Sequence, residues 1–369
     1  MKVEKKVISN LEKCYAMSEL NHQGKRYFLV AAEKNNPCYL FSESGEKLDT
    51  VWTGPGGVMT MTQVPGSDGQ FLSTRKFYSP NDSRDASIVI ATPKTSVDMG
   101  LKKDGFGLEF NERIDWEIRT LCDAPFVHRF GILNRNGINY LFVCCLKSGH
   151  EYKNDWRFPG ECFAAVLPDD LSEFDKNHQL HLKKIKSGLL RNHGYCKISW
   201  NGHDAALIGC EQGTFLFSPP AGPDQDWDIR QICSIPASDS VLLDFDGDGK
   251  PELGTISPFH GNSLTIYHLD EFGNYIPCWK LPDPESETEM LHATWAGNLL
   301  NKPTWVVGWR KGTRKTIAIT FENGAYQTQV IDENTGCANV LHFVNSAGQD
   351  VIVATNREID EAAMYTFSE

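Results

Sequence analysis

The segment Ser240–Tyr267, SVLLDFDGDGKPELGTISPFHGNSLTIY, decides the fold. It reads as an apolar strand, an Asp/Gly turn, a second strand over Glu252–Ser257, a short loop carrying His260, and a third strand over Ser263–Tyr267. Short apolar runs separated by turn residues are hairpins, and a meander of hairpins is the repeating unit of many all-β arrays. Laid along the chain, this unit finds degenerate copies. They are YAMSELNHQGKRYFLVAAEKNNPCYLFS, FGILNRNGINYLFVCC, CKISWNGHDAALIGCEQGTFLFS, HATWAGNLLNKPTWVVGWRKGTRKTIAITF and LHFVNSAGQDVIVATNREIDEAAMYTF. A more divergent copy, VMTMTQVPGSDGQFLSTRKFYSPNDSRDASIVIAT, fills the gap after the first. A fourth strand follows most copies: KLDTVW, DWEIRTL, LHLKKIK, DWDIRQI, IPCWKL and YQTQVI. About seven such units, at a period of roughly 45–70 residues, predict an all-β, seven-bladed β-propeller that takes residues 1–369 as one domain. The last copy has no fourth strand of its own. Lys2–Ser9, KVEKKVIS, alternates like an outer strand and is expected to pair with the last blade, closing the ring and leaving no open sheet edge.

The formal charge of -12 disfavours a nucleic-acid or anionic-membrane partner. MKVEKKVISNL has no apolar core of signal-peptide length, and no window approaches a membrane span. Eleven cysteines, an odd number with no CxxC pair, read as buried thiols of a reducing compartment, so a cytoplasmic address is expected. Cys144 and Cys145 are strand neighbours and should face opposite ways. The most loop-like insertions are Lys94–Glu112, His150–Gly160 and Leu167–Asn177, which a repeat protein places on a rim.

In the turn of the first-quoted segment, Asp244, Asp246 and Asp248 alternate with Phe245, Gly247 and Gly249. Alternating carboxylates in a glycine-bent loop can converge on one hard cation, with the Lys250 carbonyl and Glu252 completing the shell. The competing arrangement is a turn held by Asx hydrogen bonds with no ion, since the matching turns LNHQGK, LNRNGI and WNGHD do without the carboxylates. The pattern resembles the calcium-binding turns of FG-GAP and VCBS-type propeller repeats. That resemblance implies a structural Ca²⁺ at Asp244, Asp246, Asp248, Lys250 and Glu252.

In a blade, the start of the first strand and the end of the second lie on one face near the axis, because the two strands are antiparallel. Read around the ring, these positions offer Tyr15 and Lys34, then Met59, Arg75 and Lys76, then His128 and His150. His193, Tyr195 and Glu211 follow, then Asp239 and His260, His292 and Arg310, and finally Asn339, His342 and Arg357. Six are histidines, out of 11 in the chain, so the locus is expected to form a polar, partly basic pocket. Imidazoles serve there as acids, bases or metal ligands, and arginines neutralise a carboxylate or phosphate. Trp156, Trp295 and Trp309 offer flat faces for a sugar ring. A propeller channel lined with polar side chains that bind only water is the alternative.

The third unit, VHRFGILNRNGINYLFVCCLKSGHEYKNDWRFPGECFAAVLP, is the richest. His128 opens its first strand and His150 closes its second, so the two are expected to face each other across a hairpin mouth. This block resembles the blades of propeller carbohydrate lyases: ulvan lyases, rhamnose–glucuronate lyases and the propeller of aldos-2-ulose dehydratases. The resemblance to the ulvan-lyase group places His128, His150 and Tyr195 where that group carries two histidines and a tyrosine. Where the group would carry an arginine against a uronate, this chain has Glu211, leaving Arg75, Arg310 or Arg357 for the task.

The resemblance implies β-elimination on a small oligosaccharide or sugar derivative. A base among His128, His150, His193 and Tyr195 would take a proton beside a carbonyl or carboxylate, and a neighbour would protonate the departing oxygen. Arg75, Trp156, His260, His292, Arg310 and Arg357 are the expected saccharide-binding residues. A non-catalytic propeller that binds a ligand or a protein is the alternative from another class, and glycoside hydrolysis by a histidine of the same pocket is a third. No GxSxG, Walker loop, GxGxxG, HExxH or zinc spacing is present, and Asp169–Asp170 reads as a solvated turn.

Overall fold

A computed structural model describes residues 1–101, 108–282 and 288–369. Seven four-stranded antiparallel sheets form the ring, and their innermost strands touch in succession. These inner strands are β2 (Cys14–His22), β6 (Met61–Gln63), β10 (Val127–Arg135), β14 (Gly194–Trp200), β18 (Asp239–Leu243), β22 (Thr288–Leu299) and β26 (Asn339–Val344). Each blade then runs outward strand by strand, so the fourth strands form the rim. Among the described residues there is no α-helix. The one helical turn is a 3-10 turn at Arg357–Ile359. No helix among them is long and apolar enough to cross a membrane.

The seventh blade closes as the repeat count predicts. β1 (Lys2–Asn10) pairs antiparallel with β28 (Glu361–Ser368), from Lys2↔Ser368 to Asn10↔Glu361. Lys5 ties the seam by ion pairs of 2.8 Å to both Asp332 and Glu361.

Apolar side chains of adjacent blades meet between the sheets, and the two central strands of a blade are covered on both faces. β11 (Ile138–Lys147) is buried almost end to end, as its unbroken run YLFVCCL demands. Cys144 packs toward Phe142, Phe217 and Tyr195, whereas Cys145 joins the core around Phe126 and Leu146. All 11 cysteines are free thiols and nine are buried.

One loop assignment is corrected. Much of the segment 94–112 continues the hairpin of β8 (Ser87–Leu101) and β9 (Leu108–Asp123), paired from Ser87↔Asp123 to Leu101↔Leu108. Backbone pairing needs no apolar alternation to satisfy N–H and C=O groups, so a polar stretch extended this far without announcing itself. Residues 102–107 at its tip lie outside the described residues.

Candidate functional site

Three inner strands carry a β-bulge in their first half, and each bulge holds one polar aromatic residue. The register slips between Cys14 and Ala16, between Val127 and Arg129, and between Leu291 and Ala293, leaving Tyr15, His128 and His292 as the extra residues. A bulge re-aims its side chain out of the pleat, which turns these three toward the axis. His193 comes just before β14, and the following Gly194 permits its placement. A Cβ on Gly194 would lie 2.4 Å from the Ser238 carbonyl oxygen and 2.6 Å from Asp239 Cα, so only glycine lets β14 come this close to β18. His260 occupies the loop after β19 (Glu252–Ser257) with φ of 49°, a left-handed conformation that side-chain-bearing residues adopt only when the surroundings hold them there.

The result is a contiguous imidazole cluster. Ring centroids are 4.5 Å apart for His128 and His193, 4.7 Å for His193 and His260, 5.2 Å for His193 and His292, and 5.3 Å for His260 and His292. His128, His193 and His292 are 1–4% exposed, whereas His260 is half-buried.

The hydrogen bonds fix the tautomers. His193 Nδ1 donates to Asp239 Oδ2 at 3.0 Å, His292 Nδ1 to the Ala338 carbonyl at 2.7 Å, and His128 Nδ1 to the His193 carbonyl at 3.3 Å. An acceptor at Nδ1 puts the proton there and leaves Nε2 with a lone pair. The Tyr15 hydroxyl accordingly donates to His292 Nε2 at 3.1 Å, and His260 Nε2 donates to His193 Nε2 at 3.1 Å.

Burial pushes the basicity of His128, His260 and His292 well below the ordinary imidazole range. His193 adds to this for the first two, and the Arg310 guanidinium does so for His292. Burial also raises the Tyr15 phenol, keeping it protonated. Burial pulls the Asp239 carboxyl upward, but His193 and Arg129 outweigh it and hold it below the usual carboxylate range.

Arg129, next to the bulged His128, spans the hub. Its guanidinium donates to the Met59 carbonyl at 2.8 Å and to Asn339 Oδ1 at 3.1 Å, and sits 5.5 Å from the Tyr15 ring. Four blades are tied together by that one side chain. Arg129 is not among the residues read from the sequence, where His128 alone is taken at the start of the third unit, whereas the bulge brings the next residue inward as well.

The other predicted residues are placed as follows. His150 does not face His128: its ring packs edge-on to Phe126, its carbonyl accepts from Arg84, and it lines a surface pocket with Pro125, Ser148 and Phe158. The loop after β11 carries it past the end of the strand. Tyr195 also lies apart from the imidazoles. It packs on Phe142, and its hydroxyl lies over Gly131 between the third and fourth blades. Tyr15 is the tyrosine that joins the cluster.

Arg310 is held by Glu358 at 2.6 Å, and Arg357 bridges Glu33 and Glu358, so both guanidinium groups are already paired. Arg75 is turned away, donating to the Pro55 carbonyl and covering Trp52. Glu211 is neutralised by Arg191 at 2.7 Å. Arg191 lies over both Trp156 and Phe259, and Phe259 stacks on His260 at 4.1 Å, so Trp156, Phe259 and Arg191 form an aromatic and cationic cover above the imidazoles. Asp155 organises the loop that delivers Trp156, accepting from the Glu151 and Arg157 amides and from the Arg157 guanidinium, while buried Lys147 donates to its carbonyl. His342 pairs with Asp350 and packs on Trp295, away from the cluster, and Trp309 is buried in the core. A separate cavity of about 480 Å³ opens beside Asp123, Phe126, Lys147, Glu161 and His181, and none of the clustered imidazoles lines it.

At the Asp-rich turn, the Asx hydrogen bonds are formed. Asp244 accepts from the Gly247 and Gly249 amides, Asp246 from Asp248, and Asp248 from Lys250. Ligand atoms of Asp246, Asp248, Glu252 and His268 lie within 4.8 Å of one another. His268, from the third strand, is a member of this group that the turn sequence alone did not offer. Buried Glu252 Oε1 has no hydrogen bond, His268 Nε2 lies 3.5 Å from it, and burial raises its carboxyl above the usual range.

No protein-family model matches this chain, and no curated protein matches it. Among solved structures, a streptogramin B lyase is similar over 99% of this chain and 97% of that one, at 13% identity and a TM-score of 0.53. The Dos1 propeller aligns over 98% of this chain and 94% of its own, at 8% identity and a TM-score of 0.49. At these identities the first likeness is one of fold: the chain is a seven-bladed β-propeller.

Proposed function

We propose that the chain is a carbohydrate-active carbon–oxygen lyase that performs β-elimination on a small anionic saccharide at the imidazole cluster. The observation that carries this reading is a contiguous set of imidazoles at the hub, two of them oriented through Nδ1 by Asp239 and the Ala338 carbonyl, with the Arg129 guanidinium beside Tyr15. An imidazole that carries its proton on Nδ1 offers its Nε2 lone pair to a substrate proton. The Arg129 guanidinium offsets negative charge developing on the carboxylate or carbonyl next to the broken C–H bond, and protonated Tyr15 is a proton donor within the cluster. His260 is the imidazole open to solvent, and the Trp156–Phe259 cover offers flat faces to a sugar ring at that entrance. The likeness to a streptogramin B lyase, named for a lyase activity, is compatible with elimination on this fold without specifying a substrate. Eleven free thiols support a cytoplasmic setting, and hence a short substrate rather than a polymer.

The FG-GAP-type calcium reading carries over as a separate structural proposal: Ca²⁺ bound by Asp246, Asp248 and Glu252 with the Lys250 carbonyl, while Asp244 braces the turn. The scaffold reading draws on one observation, the deep burial of three of the four imidazoles.

The test is ultraviolet absorbance during incubation with uronate-containing oligosaccharides, which rises as an unsaturated product forms. The wild type is expected to give the rise and His193→Ala to abolish it. Flat absorbance across a broad panel, with ligand binding intact, would replace the lyase reading by the scaffold.

A further inference from the structure

We infer that His193, His260 and His292 form a binding site for a divalent transition-metal ion of the zinc class. Their ligand nitrogens already lie within 4.8 Å of one another, and His193 Nε2 and His260 Nε2 are 3.1 Å apart. Three nitrogens about 2.0–2.1 Å from a tetrahedral ion stand about 3.3 Å from each other, so the spread left to close is at most about 1.5 Å. Imidazole is a ligand suited to Zn²⁺, Co²⁺ and their neighbours, and three histidines with an open fourth position is a zinc arrangement.

A second observation points the same way. A ligating histidine ordinarily donates its other N–H to a carboxylate or a carbonyl, which fixes its tautomer and aims its lone pair. His193 does this through buried Asp239, itself braced by the Ser238 hydroxyl at 2.9 Å, and His292 does it through the Ala338 carbonyl. Both therefore present Nε2 lone pairs to one point without any rearrangement of their supports. His260 completes the set by moving its proton from Nε2 to Nδ1, a tautomer shift that leaves the net charge unchanged. Tyr15, now donating to His292 Nε2, is freed by metal binding to hydrogen-bond whatever fills the fourth position. The left-handed backbone at His260 fits the same account, since the loop holds a strained residue where its imidazole meets the other two. When bound, such an ion would supply Lewis-acid stabilisation of an oxyanion.

The inference does not depend on elimination chemistry, and its test uses no sugar. Chelator-stripped full-length protein is titrated with Co²⁺, following visible d–d absorption, and then with Zn²⁺ as competitor. One equivalent of Co²⁺ should give the bands and Zn²⁺ should remove them. Asp239→Asn should weaken affinity about 10–100-fold, the range for losing a hydrogen-bond partner behind a ligand. His292→Ala and His260→Gly should weaken it at least as much, and glycine suits the left-handed backbone at 260, so that variant keeps its fold. His268→Ala should leave the signal unchanged, separating this site from the Asp-rich turn. Absence of the bands, their survival in His260→Gly, or their loss in His268→Ala instead would overturn the assignment.

Discussion

Replacing Gly131 with alanine is the sharpest probe of which tyrosine belongs to the site. The new methyl would lie 1.7 Å from Tyr195 Oη, 2.4 Å from Cζ and 3.1 Å from Cε1. Ordinary contact needs about 3.5 Å, so the hydroxyl would have to retreat by about 2 Å. It has nowhere to go: the phenol packs on Phe142, and its oxygen is buried. Overpacking of this kind costs about 3 kcal/mol, the upper part of its usual range. At an unfolding entropy near 2.1 cal/mol/K per residue, a chain of this length loses about 4 °C in Tm for that cost. Urea unfolding followed by tryptophan fluorescence measures it, alongside Tyr195→Leu and the double variant. The double variant should recover at least about 1 kcal/mol relative to additivity, because the clashing ring is gone. If Gly131→Ala stays within about 0.5 kcal/mol of wild type, or if Tyr195→Leu alone abolishes Co²⁺ binding, the placement of Tyr195 as a packing residue is refuted.

Other outcomes follow from the same geometry. Deleting residues 1–10 removes one of the two strand partners of β28 and should cost several kcal/mol, a large share of a typical 5–15 kcal/mol, with the free edge promoting dimers; a synthetic 2–10 peptide should restore the monomer, and an unchanged melt by scanning calorimetry would contradict this. Ca²⁺ should raise the melting temperature of the wild type but not of Asp248→Asn, while equal shifts in both would dismiss the calcium proposal. Glu358 is held below its ordinary range because, although burial pushes it up, Arg310 and Arg357 outweigh that, so its contribution to stability is present above about pH 4.5 and is lost as pH falls. Glu358→Gln should therefore flatten the acid limb of the stability profile, and an unaltered limb would count against the pairing. Arg129→Met should lower stability and leave the blades intact by circular dichroism, since only the link across the hub is lost.

Architecture was legible because a hairpin meander repeats, and a repeat can be counted even when its copies share few residues. The seam at Lys2–Asn10 followed from the same count. The site was legible in position but not in membership. Reading one locus per blade brought His128, His193, His260 and His292 into a single list, together with Tyr15 and Asp239. It also admitted His150, which the loop after β11 carries away, and Tyr195, which packs on Phe142 between the third and fourth blades. Bulges bring Tyr15, His128 and His292 inward, and they carry no residue signature that hairpin reading detects. Arg310 and Arg357 were read as free cations because Glu358, the partner of Arg310, and Glu33, a partner of Arg357, are distant from them in sequence.

Because Lys2 lies directly across from Ser368, the two chain ends are neighbours in space. A short linker between them would turn the molecule into a covalent circle, and new ends opened in any loop between blades would give a permuted chain with the same ring. Such permutants would move the non-covalent clasp from the seventh blade to any other, so the place where the molecule first unzips under load becomes a matter of choice rather than of chain order.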